Sequence, residues 1–313
     1  MYEYIVKLLE RDSTCEQQRM YGVLHPTKKF YIIRNFRTNS GLMGIHNIVL
    51  SHIIYAINNG YIPVVDMKNY ASMYHEESEL GSVNTWEYYF EQPMHYTLEE
   101  AYKSFYVTLC KEGKQPMPFG QNQFDNKQDI AFCNSIMSQY MDFNASTKQI
   151  LSDELSKLKN FAQNGKILGV CCRGSDYATL KPKYHHIPTT AEESIELVKE
   201  KLEKWDGYKY VYLATEDETI LEKFKTAFCD SGNLYYVECK RFPSDTGNRL
   251  LADIEFEREN DKYLRGLEYL KTLHLLSKCD SAILPQIGGT LAALRMNNNQ
   301  YEHTILLDKG CYE

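Results

Sequence analysis

The segment KILGVCCRGSDY, residues 166–177, joins an apolar run to a charged turn that contains a glycine. The apolar part, residues 166–172, is typical of a parallel strand that is covered on both faces. Arg173, Gly174 and Asp176 follow directly. Because ligands bind beyond the carboxyl ends of the strands in open α/β sheets, these residues are the first candidates for a functional site.

The rest of the C-terminal half alternates strands and helices around this segment. We predict strands over residues 208–214, 234–239, 281–284 and 304–307, and helices over residues 191–205, 218–228, 257–277 and 289–296. Such alternation favours right-handed βαβ crossovers and a parallel sheet with helices on both faces.

The N-terminal half begins in the same way and then loses its regularity. We predict a strand over 30–34, a helix over 45–58 and a strand over 62–66, whereas the aromatic and polar residues 67–128 show no clear period. Residues 129–161 have a helical pattern with a cap at 144–147, and Gln163, Asn164 and Gly165 end it. We therefore predict two α/β domains, over residues 1–162 and 163–313.

Composition excludes several classes of protein. The 313 residues are 43% hydrophobic and 25% charged, which is typical of a globular protein, and the net charge of −7 argues against general nucleic-acid binding. No apolar run approaches the ~18 residues of a membrane helix, and the charged N-terminus is no secretory signal. Nine scattered cysteines without a CxxC pair fit neither zinc nor a disulfide framework, so we expect a reducing, cytoplasmic compartment. Peripheral membrane association and the oligomeric state stay open.

Arg173 has two interpretations at the end of its strand. A guanidinium there can hold a diphosphate with two parallel hydrogen bonds and stabilise a departing phosphate, with room for it at Gly174. Alternatively, Arg173 pairs with Asp176 and ties the strand end to a helix. Asp176 could also accept a proton from a substrate.

Two further strand ends carry candidate residues. Thr215, Glu216 and Asp217 follow the strand over 208–214 and either cap a helix or contact a nucleoside; their spacing has no clear magnesium signature. Gly288, Gly289 and Thr290 follow the strand over 281–284, where free backbone N–H groups at a helix start can hold an anion. The Lys of a Walker sequence is missing there.

A fourth glycine-containing turn lies in the N-terminal half. Gly41 and Gly44 precede His46 and Asn47 at the start of the predicted helix. The turn is either a plain tight turn or a loop from which His46 or Asn47 reaches a substrate.

Three of these segments resemble the motifs of the fucosyltransferase superfamily, which includes protein O-fucosyltransferases, α-1,6-fucosyltransferases and nodulation fucosyltransferases. GVCCRGSDY (169–177) resembles the family's "GVHxRxTDY", YLATED (212–217) resembles "FLATDD", and the segment 288–290 is similar to the third, serine-rich element. The glycine turn with the strand GYIPVVD (60–66) looks like the start of these enzymes, and NTWEYYFEQP (84–93) is similar to bacterial relatives from polysaccharide gene clusters.

The resemblance implies a GT-B fold, in which two Rossmann-like domains face a cleft, an N-terminal acceptor-side domain and a C-terminal nucleotide-sugar-binding domain. It implies an inverting transfer, typically from GDP-fucose to a saccharide of a surface polysaccharide or glycan, with no cofactor and no essential metal. It also implies that Arg173 contacts the diphosphate, Glu216 or Asp217 the guanosine, and Thr290 and its neighbours the phosphates. The expected donor-binding residues are Arg173, Gly174, Tyr177, Thr215, Glu216, Asp217, Gly288, Gly289, Thr290, Gly41, Gly44 and Asn47; the expected catalytic residues are Arg173, Asp176 and His46.

One position departs from the family pattern. Cys171 stands where the family has a His two residues before the motif Arg, and a neutral thiol cannot replace a protonatable imidazole. A non-catalytic protein that binds a nucleotide sugar or saccharide is therefore the alternative to a glycosyltransferase. A Rossmann-type oxidoreductase is disfavoured because no GxGxxG follows a predicted strand.

Overall fold

The computed structural model describes residues 16–76, 78–116, 123–174, 176–229, 231–243, 249 and 254–313, with the backbone alone at Asp176. The chain divides into two compact units, one ending at Lys148 and the other beginning at Gln149. This division lies within a helix, Ala145–Phe161, and the boundary after residue 162 stays a prediction. The assignment of an acceptor side and a donor side to the two units stays a prediction.

The N-terminal unit is built around a mixed sheet. Its elements are β1 Glu16–Arg19, β2 Leu24–Arg34, α1 Leu42–Asn58, β3 Ile62–Asp66, α2 Leu98–Tyr102, β4 Ser104–Cys110 and α3 Lys127–Tyr140. The helix Ala145–Phe161, α4, crosses the division and lies mostly in the C-terminal unit. The strand order is β1-β4-β2-β3, with β2 parallel to both β3 and β4 and β1 antiparallel to β4. The predicted strand over 62–66 is confirmed, the other predicted strand and helix begin earlier than expected, and the helical stretch 129–161 is two helices.

The segment 84–93 covers the edge of this sheet. β3 is the last strand in the described order, so its outer backbone groups need partners from elsewhere. The side-chain amide of Gln92 supplies both an acceptor and a donor. Its Oε1 accepts from the Val65 N–H at 2.8 Å, and its Nε2 donates to the Val65 carbonyl at 3.0 Å. Asn84 accepts from the Met67 N–H at 3.0 Å, and Glu87 accepts from the Gln92 amide at 2.6 Å. The polar side chains of this segment thus replace a neighbouring strand.

The C-terminal unit contains a parallel sheet of five strands. Its elements are β5 Lys166–Cys171, α5 Asp176–Leu180, α6 Ala191–Lys204, β6 Tyr208–Ala214, α7 Glu218–Phe228, β7 Leu234–Tyr236, α8 Asp261–Leu276, β8 Ser281–Pro285, α9 Gly288–Asn297 and β9 Thr304–Leu307. The order is β7-β6-β5-β8-β9 and every neighbouring pair is parallel, which is the order of a Rossmann fold. The predicted parallel sheet is confirmed, although β7 is shorter than the predicted 234–239 and α8 begins at Asp261 rather than at 257.

Gly169 brings a helix close to the central strand β5. A Cβ atom at this position would lie 2.8 Å from Cδ1 of Leu276, the last residue of α8, and 3.0 Å from Sγ of Cys279, which follows the helix. Since real Cβ atoms do not approach other atoms so closely, the absence of a side chain lets α8 pack directly on the strand. Leu168 and Val170 on either side are completely buried.

None of the helices in the described residues is long and apolar enough to cross a membrane.

The amide of Gln92 gives a first prediction. Gln92 is 7% exposed, and Gln92→Ala leaves the buried Val65 N–H without its acceptor, which costs about 1–3 kcal/mol, while the Val65 carbonyl keeps the hydrogen bond from Asn84 Nδ2 at 2.9 Å. We expect the free energy of unfolding in urea to fall by about 1–3 kcal/mol. Gln128→Ala, on the exposed surface of α3, is the matched control and should change it by less than about 0.5 kcal/mol. Equal stability of the two variants would show that Gln92 does not hold the edge of β3.

Candidate functional site

The strand order of the C-terminal unit places three predicted segments at one edge of the sheet. β5 pairs with β6 on one side and with β8 on the other, and all three strands run in the same direction. The chain order reverses between β5 and β8, which is where nucleotides bind in sheets of this type. The residues that follow β5, β6 and β8 are therefore neighbours at the same edge of the sheet.

Arg173 and Glu216 form an ion pair at this edge. The Arg173 guanidinium donates from Nη1 to Glu216 Oε1, and the side chains are 20% and 28% exposed. The Gly174 N–H donates to the same carboxylate oxygen at 2.8 Å. One anionic oxygen is thus held by a guanidinium and a backbone amide, so this part of the edge is built to bind negative charge.

The ring of Tyr177 supports the Arg173 side chain. The guanidinium carbon lies 4.6 Å from the ring centroid, within the range of a cation–π contact. Tyr177 packs edge-on against His185 at 4.9 Å, and the loop around His185 is tied to the last residues of the chain, where the Tyr184 N–H donates to the Tyr312 carbonyl at 2.9 Å. Asp176 begins α5, and its side chain lies outside the described part of the structure.

The two acids after β6 have different environments. Asp217 is fully buried and caps α7, because its carboxylate accepts from the Ile220 N–H at 3.0 Å. Thr215 is also buried and accepts from the Asp217 N–H at 3.3 Å. The helix cap is therefore Asp217 rather than Thr215, whose hydroxyl holds the turn before the helix, while Glu216 is the acid that faces Arg173.

The Thr290 hydroxyl forms hydrogen bonds with the loop that precedes α9. It is fully buried, bonds to the Pro285 carbonyl and accepts from the Ile287 N–H at 3.2 Å. Gly289 is packed tightly, since a Cβ there would lie 2.2 Å from Tyr269 Oη, whereas a Cβ at Gly288 would meet no atom within 4 Å. Any anion at this helix start would thus contact backbone N–H groups beside Gly288, which have no acceptor within the helix.

The remaining predicted residues belong to the N-terminal unit. Gly41 is the N-cap of α1, and the Leu42 N–H donates to the Tyr74 hydroxyl at 2.7 Å. Gly44 lies in the first turn of α1 and Asn47 is half-buried. His46 is 4% exposed and its ring lies 5.6 Å from that of Phe90, so it is part of the aromatic packing of that unit.

Cys171 provides no charge at the edge. Its side chain is 6% exposed at the end of β5, and burial raises the pKa of the thiol well above its usual value. The thiol therefore stays neutral at physiological pH, and Arg173 is the positive group of this segment.

Two contacts at the edge were not predicted from the sequence. Phe242 lies alongside the segment after β6, with its N–H donating to the Glu216 carbonyl at 2.9 Å and its own carbonyl accepting from the Glu218 N–H at 3.0 Å. Tyr269 of α8 packs against Gly289. Neither residue carries a local motif, because both contacts join segments that are distant in the sequence.

Among the residues that the structure describes, no group of three or more His, Cys, Asp or Glu side chains is arranged to hold a metal ion.

The structure resembles solved fucosyltransferase structures. One is the NodZ α-1,6-fucosyltransferase soaked with GDP-fucose, with a TM-score of 0.50 and 16% sequence identity over 86% of this chain and 93% of that chain. Another is fucosyltransferase NodZ from Bradyrhizobium, with a TM-score of 0.50 and 16% identity over 85% of this chain and 93% of that chain. No protein-family model and no curated protein matches the sequence. The likeness confirms the expected α/β fold and its resemblance to GT-B fucosyltransferases at the level of the fold.

The cap of α7 gives a second prediction. Asp217→Ala should lower the free energy of unfolding by about 1–2 kcal/mol, because the Ile220 N–H loses its acceptor, and Asp217→Asn should retain most of the stability. Thr219→Ala, at an exposed position of the same helix, should stay within about 0.5 kcal/mol of the parent. If Asp217→Ala unfolds like the parent, Asp217 does not act as the cap.

Proposed function

We propose that this protein is an inverting glycosyltransferase that transfers a sugar, fucose from GDP-fucose, to a saccharide acceptor in the synthesis of a surface polysaccharide or glycan. The observation that carries the proposal is the pair of donors, the Arg173 guanidinium and the Gly174 N–H, which converge on one anionic oxygen beside the central strand. A nucleotide diphosphate presents oxygens of the same kind, and the lack of a side chain at Gly174 leaves it room.

Sugar transfer from a nucleotide sugar makes the diphosphate the leaving group. The bond from the anomeric carbon to the diphosphate oxygen breaks as the acceptor oxygen attacks from the opposite face, and negative charge grows on the departing phosphate. A fixed guanidinium and a backbone N–H beside that oxygen stabilise the transition state more than the ground state. In this proposal Arg173 takes the place of a metal ion, so no divalent cation is required.

The fold supports the choice of donor. The NodZ enzyme of similar fold was soaked with GDP-fucose, and in this chain β5, β6 and β8 bring the three motif-like segments to one edge of the C-terminal sheet. In the proposal, Glu216 and its neighbours lie near the nucleoside, and the backbone at Gly288 lies near a phosphate. The free cysteines among the described residues support a reducing, cytoplasmic compartment.

The acceptor hydroxyl must lose a proton during an inverting transfer. Asp176 stays the proposed base within the motif, since it opens α5 directly after the Arg173 segment. His46 is less suited as it stands, because its ring is buried against Phe90.

A non-catalytic nucleotide-sugar-binding protein is the second candidate function. It is favoured by Cys171, whose neutral thiol stands where the resemblance places an imidazole. Such a protein would bind the donor without turning it over.

Binding and turnover separate these possibilities. Purified protein in EDTA is mixed with GDP-, UDP-, CMP- and dTDP-sugars, and melting temperature and release of the nucleoside diphosphate are measured. We expect stabilisation by GDP-sugars alone, of about 2.7 kcal/mol at 100 times the Kd, together with release of GDP from GDP-fucose. Stabilisation without release, even with saccharide acceptors added, would favour the non-catalytic function. Activity that disappears in EDTA and returns with Mn²⁺ would contradict the metal-independent mechanism.

Arg173 gives the sharpest test of the mechanism. Arg173→Lys and Arg173→Ala should each lower kcat by on the order of 10²–10³, because an ammonium cannot reproduce the planar contact of a guanidinium with two phosphate oxygens. Melting temperatures should fall only slightly, because the partly exposed ion pair with Glu216 contributes about 1 kcal/mol or less.

Arg19→Lys is the control, because it makes the same exchange on an exposed residue of the N-terminal unit. Its kcat should equal that of the parent. Near-normal turnover of either Arg173 variant, or a large fall in melting temperature with unchanged kcat, would show that Arg173 serves only the structure.

A further inference from the structure

We propose that Glu216 is an internal substitute for the donor's diphosphate: its carboxylate occupies the anion position in the ligand-free protein and leaves it when the nucleotide binds. The proposal rests on the function proposed above and adds a step to it. The sequence resemblance assigns Glu216 or Asp217 to the guanosine, whereas in the structure Glu216 contacts the Arg173 guanidinium.

The two donors define where the anion position is. Arg173 Nη1 and the Gly174 N–H both donate to Glu216 Oε1, the latter at 2.8 Å. Carboxylate and phosphate oxygens accept charge-assisted hydrogen bonds in the same geometry. The carboxylate therefore marks the position that a phosphate oxygen would take.

The carboxylate and a diphosphate cannot occupy this position together. Both anions would need the same two donors, Arg173 Nη1 and the Gly174 N–H, and their like charges would repel each other. Binding of the nucleotide must consequently break the bonds from Arg173 and Gly174 to Glu216, and the cost of breaking them weakens nucleotide binding.

The movement that this exchange needs is confined to a side chain. The Glu216 carbonyl accepts from the Phe242 N–H at 2.9 Å, and the neighbouring Asp217 is fully buried as a helix cap. These two contacts hold the backbone of Glu216 in place. The Glu216 side chain is 28% exposed, which gives the carboxylate a path to solvent by rotation.

The exchange has a consequence for each stage of the reaction. Before the donor binds, Glu216 holds the Arg173 guanidinium over the Tyr177 ring and so keeps it at the edge of the sheet. After transfer the same carboxylate competes with the product for Arg173, which favours release of the nucleoside diphosphate.

The test is the affinity of GDP and of inorganic pyrophosphate for Glu216→Gln, measured by calorimetry on the full chain. Gln keeps the size of the side chain and removes its charge, so both ligands should bind roughly fivefold more tightly, the upper end of the contribution of a partly exposed ion pair. Glu218→Gln is the matched control, because it removes the same charge two residues away on an exposed side chain, and it should change the Kd by less than about twofold. Glu216→Ala serves as a second variant, and it should also bind both ligands more tightly than the parent protein.

Unchanged or weaker binding by both Glu216 variants, with tight binding of GDP to the parent protein, would overturn this inference and leave the proposed function standing. An equal gain in Glu218→Gln would also overturn it, because general charge would then be the cause. Absence of GDP and pyrophosphate binding to the parent and to every variant would instead reject the proposed diphosphate site itself.

Discussion

Hydrogen bonding along both edges of β5 is the constraint on which the candidate site depends. With β6 on one side and β8 on the other, the strand must be apolar on both faces, and Gly169 must lack a side chain for α8 to pack on it. The same pairing fixes where the strand ends, because the ends of its neighbours lie beside it. Arg173 therefore leaves the interior at the one edge where Glu216 and the start of α9 are also available.

The sequence predicts the C-terminal unit well, because its strands are continuous apolar runs between helical segments. β6 and β9 and the helix α7 have the predicted bounds. The stretch 67–128 could not be assigned to elements, because its residues form contacts with distant segments and show no local hydrophobic period. Gln92 and Asn84 bind the backbone at the edge strand β3 and at the residue that follows it. The strand β4 in the same stretch lies between β1 and β2, and the local sequence pattern does not indicate that position.

The candidate site shows the same limit at the level of single residues. Arg173 and Glu216 could be identified as residues that follow strands, but their ion pair could not, because β5 and β6 become neighbours only in the folded sheet. Conversely, the Thr290 hydroxyl and the Asp217 carboxylate are groups that could bind a ligand. Each instead accepts a hydrogen bond from a nearby backbone N–H, that of Ile287 and that of Ile220. A motif therefore identifies the segment at a sheet edge, and the fold decides which of its side chains stays available to a ligand.

A crystal structure of the protein with GDP is the most direct test, because the proposed mechanism depends on which group is the partner of Arg173. We expect phosphate oxygens within hydrogen-bond distance of the Arg173 guanidinium and the Gly174 N–H, and the Glu216 carboxylate turned away from both. GDP bound elsewhere, with the Arg173–Glu216 pair intact, would contradict both the diphosphate-binding role of Arg173 and the displacement of Glu216.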